Sequence, residues 1–154
     1  MNYNMKLAEA LSRRSALIEK SQQLRSRLKD CIKIQEGDEP TEDAEHVIAE
    51  LDQTLDELQN LIYRINMTNT SAVVDGRNLT SLLAERDTLS IRTKTLYDGL
   101  KHLTEREERY GRNEVKYVRM VNATEFRKLH DRSAARLRDL DLKIQALGWS
   151  TDLI

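Results

Sequence analysis

The chain has 154 residues, a third of them charged, with one Phe, one Trp and six Gly and Pro together. That length fits one domain, yet so few bulky apolar residues and so few helix breakers argue against a compact globule and for long helices meeting along narrow apolar seams. Lys and Arg number 25 against 26 Asp and Glu, which leaves no overall field to attract nucleic acid or an anionic membrane.

The charge is uneven along the chain. Residues 1–35 carry eight basic and three acidic side chains, and residues 36–60 carry ten acidic and none basic. Opposed charge in neighbouring helical segments favours antiparallel pairing, although exposed pairs contribute only about 0.2–1 kcal/mol each and act more on partner choice than on stability. Residues 101–138 are basic again, eleven against six.

In chain order, a first helix is expected from about Met5 to Gln35, where Leu7, Leu11, Leu17, Ile18, Leu24, Leu28, Cys31 and Ile32 recur at helical steps. Gly37 and Pro40 end it. A second helix begins near Thr41, with Glu42, Asp43 and Glu45 in its first turn, and Val47, Leu51, Leu55, Leu58, Ile62 and Ile65 keep the spacing of a heptad seam. The two form a helical hairpin over about residues 5–66. A loop over 66–78 follows, because Asn66, Thr68, Asn69, Thr70 and Ser71 favour turns. Within it Ala72–Val74 is a short extended piece and Asp75-Gly76 a turn.

A third helix is expected over about 79–109, on Leu79, Leu82, Leu83, Leu89, Leu96, Leu100 and Leu103, with Arg86, Thr93 and Gly99 weakening the stripe. After Gly111, β-favouring residues alternate through Val115, Tyr117, Arg119 and Val121 and predict a strand over about 114–121. Asn122 and Glu125 read as a capping box opening a fourth helix over about 123–147 on Phe126, Leu129, Ser133, Leu137, Leu140, Ile144 and Leu147. Gly148 suits the position past its C-terminus, and Trp149–Ile154 form a tail. The expected fold is therefore a single mainly α domain of four long helices in heptad-patterned antiparallel hairpins or a bundle, with one short β segment. A third helix of that length holds Ala72–Val74 and the strand about 45 Å apart, so the strand is left to pair with another copy of the chain, giving a homo-oligomer.

Chemistry-bearing patterns are sparse. Glu105, Glu107 and Glu108, like Asp139 and Asp141, sit among Arg and Lys on solvated helical faces rather than as paired catalytic carboxylates. His46, His102 and His130 are scattered, without the repeated Glu-x-x-His of a di-metal bundle. Cys31, the one cysteine, falls in an apolar stripe as a small core residue, and no disulfide is available to the chain by itself. Glycines 37, 76, 99, 111 and 148 are too far apart for a phosphate-cradling loop, so no cofactor is expected and an enzyme is the less favoured class. With neither a signal-like start nor an apolar run of membrane length, the expected location is the cytoplasm.

Two regions stand out. Arg106, Arg109, Arg112, Lys116, Arg119, Arg127, Lys128, Arg132, Arg136 and Arg138 surround Tyr110 and Tyr117, as in a nucleic-acid-binding module, although interleaved glutamates make an internal partner for the acidic second helix the simpler reading. Asn66, Thr68 and Asn69, with Arg86 and Asp87 of the third helix, form a candidate polar pocket for a small molecule, and Trp149 a candidate contact or a lid over the end of a bundle.

The stretches Ile65-Asn66-x-Thr68-Asn69, Asp75-Gly76-x-x-Leu79, Leu83-Ala84-x-Arg86-Asp87-x-Leu89, Glu114-Val115-Lys116-Tyr117, Leu137-Arg138-Asp139-Leu140-Asp141 and Trp149-Ser150-Thr151-Asp152-Leu153 resemble a family of bacterial helical proteins sometimes labelled septicolysin. The resemblance covers about two thirds of the chain and implies a shared helical fold. Its label implies pore formation, but the chain has neither a membrane-length segment nor a Trp-rich Cys loop, so the resemblance carries the fold and no activity. Gly148 stands where that family has Asn.

Overall fold

The computed structural model describes residues 4–105 and 116–154. The protein is mainly helical, with α1 (Leu7–Ile32), α2 (Ala44–Ser71), α3 (Leu79–Thr104) and α4 (Ala123–Ser150), plus a small antiparallel pair, β1 (Val73–Val74) and β2 (Arg77–Asn78). The chain divides into two compact units. One is the chain up to Asn78 with Ala146–Ile154, and the other is Leu79–Gln145.

The first unit is built on an α1–α2 hairpin whose register is plain in its buried residues. Ala10, Leu17, Leu24 and Cys31 follow at seven-residue steps on α1, and Val47, Thr54, Leu61 and Thr68 do the same on α2. Lettered as heptads, these are d positions, and Leu7, Arg14, Ser21 and Leu28 on α1 with Ala44, Leu51, Leu58 and Ile65 on α2 are the a positions. Leu24, Cys31 and Val47, with Leu28, Ala44 and Leu51 against them, make a core cluster towards the connection between the helices. A two-helix seam buries only a and d, and this corrects the membership of the seams expected from sequence: Ile18, Ile32, Leu55 and Ile62 lie outside them and are exposed.

Helix ends follow local chemistry. The Lys6 amide donates to Glu9 Oε2 at 2.7 Å at the start of α1. Asp43 caps α2 by accepting from the Glu45 amide at 3.1 Å. The anticipated cap at Asn122 is present, its Oδ1 accepting from the Glu125 amide at 3.0 Å.

Three expectations are corrected. The run Asn66–Ser71 is helix, not loop, with its hydroxyls bonded back into the helix: Thr68 Oγ1 donates to the Arg64 carbonyl at 2.8 Å and Thr70 Oγ1 to the Asn66 carbonyl at 3.0 Å. With Ile65 and Thr68 in the seam, burial outweighs turn preference. Secondly, no strand forms over Lys116–Val121, which is irregular and exposed, while Glu114 and Val115 lie outside the described residues. β-propensity yields a strand only where a ladder partner exists. The β pairing lies instead at Val73↔Asn78 and Val74↔Arg77, around Asp75 (φ 52°) and Gly76 (φ 77°). Two positive-φ residues in succession give the tight hairpin turn that Asp-Gly favours. The unpaired strand that motivated an oligomer is thus absent among the described residues. Thirdly, Gly148 lies inside α4, where a Cβ would meet Ala8 Cβ at an ordinary 3.6 Å.

The two ends of the chain close the first unit. The Leu7 amide donates to the Thr151 carbonyl at 2.9 Å, and the Leu153 amide to the Met5 carbonyl at 2.8 Å. Lys6 pairs with Asp152, and Leu153 is buried.

In the second unit α3 and the main part of α4 run antiparallel. Their contacts descend in register: Glu85 with Arg136, Thr93 with Ser133, Tyr97 with His130, and Gly99 beneath Phe126. A Cβ at Gly99 would lie 3.1 Å from Phe126 Cζ, so this glycine makes room for the ring.

Candidate interaction surface

The two long edges of the α1–α2 hairpin differ in chemistry. In an antiparallel helix pair the g positions of both helices share one edge and the e positions share the other. On the g edge, Arg13 donates Nε to Glu57 Oε1 at 2.7 Å and Nη2 to Glu57 Oε2 at 2.9 Å. One heptad on, Lys20 pairs with Glu50 at 3.4 Å, and one heptad further Arg27 pairs with Glu50 at 3.2 Å and with Glu42 through its Nε at 2.9 Å. The pairs step up α1 as they step down α2, so the opposed charges read in the sequence are neighbours. The hydrogen bond from Arg27 holds the Glu42 carboxyl below the usual carboxylate range, its positive charge adding to this against a desolvation cost. Arg13 does the same for Glu57.

The e edge is apolar. Ile18 and Ile32 on α1 and Ile48, Leu55 and Ile62 on α2 are between 39% and 60% exposed, and Leu11 is half-buried. All six fall at e positions. Flanking them, α1 presents Arg25 at e and Lys29 at b, and α2 presents Glu45 and Asp52 at b. This edge therefore has an apolar centre, cations along its α1 side and anions along its α2 side. The sequence contained this signal, since the three- and four-residue steps mixed two stripes; separating them needs the register.

The residues singled out from sequence fall as follows. Thr68 is buried, and its Oγ1 also accepts from the Ile154 amide at 3.0 Å. Asn66 is exposed and Asn69 half-buried on the last turns of α2, and Trp149 is 65% exposed. These belong to the first unit, whereas Arg86 and Asp87 belong to the second, where they pair with each other at 2.9 Å. Of the basic stretch, Lys116, Tyr117 and Arg119 are exposed on irregular chain, and Arg127, Lys128, Arg132, Arg136 and Arg138 lie on α4. Arg106, Arg109, Tyr110 and Arg112 lie outside the described residues. Cys31 is buried, its Sγ 3.4 Å from the Leu28 carbonyl. Among the described residues no cluster of three His, Cys, Asp or Glu could hold a metal ion, and no helix is long and apolar enough to cross a membrane.

No curated protein matches the chain. A crystal structure of a functionally unknown conserved protein from Corynebacterium diphtheriae is similar, with 37% sequence identity and a TM-score of 0.91 over 99% of this chain and 100% of that one. Over residues 4–153 the sequence matches the model of the family of unknown function DUF6847, and the chain belongs to that family.

Proposed function

We propose that the protein is a non-enzymatic helical assembly protein that pairs with a second copy of itself through the e edge of the α1–α2 hairpin. The observation that carries this reading is the row of exposed Ile and Leu at successive e positions, opposite an edge where the charges are already paired. Covering a half-exposed Ile or Leu contributes roughly 1 kcal/mol. Twelve such side chains from two copies approach the roughly 4–15 kcal/mol that association costs in lost freedom.

Charge selects the partner and the orientation. A two-fold axis parallel to the hairpins sets α1 of one copy over α2 of the other at the same height. Arg25 and Lys29 of each copy then come within about a turn of the height of Glu45 of the other, with Asp52 about two turns further along the same helix. The opposite arrangement, α1 over α1, would set cations against cations. The product is a four-helix bundle of the left-handed, small-angle type.

Size-exclusion chromatography with light scattering tests this. The wild type should elute at twice its 17.9 kDa mass at micromolar concentration. Ile48→Glu/Ile62→Glu should be monomeric with its helical circular dichroism unchanged. Arg25→Glu/Lys29→Glu should dissociate, and adding Glu45→Lys should restore the dimer. A monomeric wild type, or a dimer indifferent to these changes, would sink the proposal.

A further inference from the structure

We propose that the second unit carries a binding site for a phosphate-bearing small molecule between α3 and α4. An open depression of about 280 Å³ there is lined by Leu89, Arg92, Leu129, Arg132, Ser133 and Arg136. Three arginines from two helices line it. Of these, Arg136 is paired with Glu85 at 2.7 Å, while Arg92 and Arg132 have no acidic partner among the described residues. One carboxylate against three cations leaves a positive charge that an oxyanion would balance. Arginine suits phosphate best among the cationic side chains, because its planar fork gives two parallel hydrogen bonds to one oxyanion.

The lining includes a hydroxyl as well. Ser133 is 4% exposed, and its hydroxyl lies 2.8 Å from that of Thr93. When one of these hydroxyls donates to the other, the acceptor keeps its own proton for a further acceptor. Leu89 and Leu129 supply an apolar wall for the organic part of such a ligand. At about 280 Å³ the depression lies just below the roughly 300–1,000 Å³ usual for ligand sites, a size for one or two phosphate groups. A nucleic acid needs a continuous basic track, and here Asp87, Asp131, Asp139 and Asp141 interrupt the cations of both helices. The site uses none of the hairpin's residues and stands independently of self-association.

The test is titration of the full chain with inorganic pyrophosphate at constant ionic strength, read from the Nε–H resonances of arginine. Saturable shifts are expected at Arg92, Arg132 and Arg136. Arg92→Gln/Arg132→Gln should weaken binding at least tenfold with unchanged Tm, whereas Arg138→Gln should bind as the wild type does. Shifts that do not saturate, or equal weakening by Arg138→Gln, would overturn the site. So would tighter binding of an oligothymidylate that depends equally on all three arginines, which marks a nucleic-acid surface instead.

Discussion

Thr68 has two roles that its residue type alone does not announce. Its hydroxyl donates to the Arg64 carbonyl, satisfying its own proton within α2, and accepts from the Ile154 amide, which ties the C-terminal segment to the hairpin. Thr68→Val keeps the shape, removes both bonds and leaves a donor without its partner. The expected loss is about 1–2 kcal/mol, measured by urea denaturation. Thr70→Val, at an exposed position on the same turn, should change stability by less than about 0.5 kcal/mol. Equal effects at both positions would mean that the tie to Ile154 does not contribute.

At the scale of elements, the g-edge ion pairs make the hairpin sensitive to acid. Glu42 and Glu57 are held below their ordinary value of 4.5, first by hydrogen bonds from Arg27 and Arg13. A carboxyl with a depressed folded-state pKa adds stability that is complete above its unfolded pKa and is lost as pH falls through the folded one. The urea midpoint of the wild type should therefore fall on going from neutral to acid pH below 4.5. In Glu42→Gln/Glu57→Gln that fall should be smaller, with the neutral-pH midpoint slightly reduced. Both pairs are exposed, so salt should reduce the difference between the two proteins. An identical pH profile in wild type and variant would show that the pairs orient the hairpin without stabilising it.

At the scale of the whole chain, closure of the first unit depends on residues almost the full sequence apart. Leu153 is buried, and its amide reaches the Met5 carbonyl, so the last residues complete a unit that the first residues begin. Leu153→Ala should cost about 2–4 kcal/mol in chemical denaturation, as for a large-to-small change in a core. Thermal melts of Asp152→Ala, which removes only the exposed pair with Lys6, should shift by no more than a few degrees. A small cost at Leu153 would mean that the unit holds together without its C-terminal segment.

The sequence by itself determined the helical class, the cap at Asn122, the Asp75-Gly76 turn and the antiparallel pairing of a basic helix with an acidic one. Each depends on neighbours within a few residues, or on charge summed over a segment. Tertiary structure alone decided three further features. Asn66–Ser71 became helix because burial of Ile65 and Thr68 in the seam outweighs their neighbours' turn preference. The β pairing went to Arg77–Asn78 rather than Lys116–Val121 because a strand exists only where a ladder partner is within reach. The candidate surfaces emerged last. Leu55 and Ile62 count as core by spacing until the register assigns them to the outer edge of the hairpin, and Arg92 meets Arg132 and Arg136 only once α3 and α4 fold against each other.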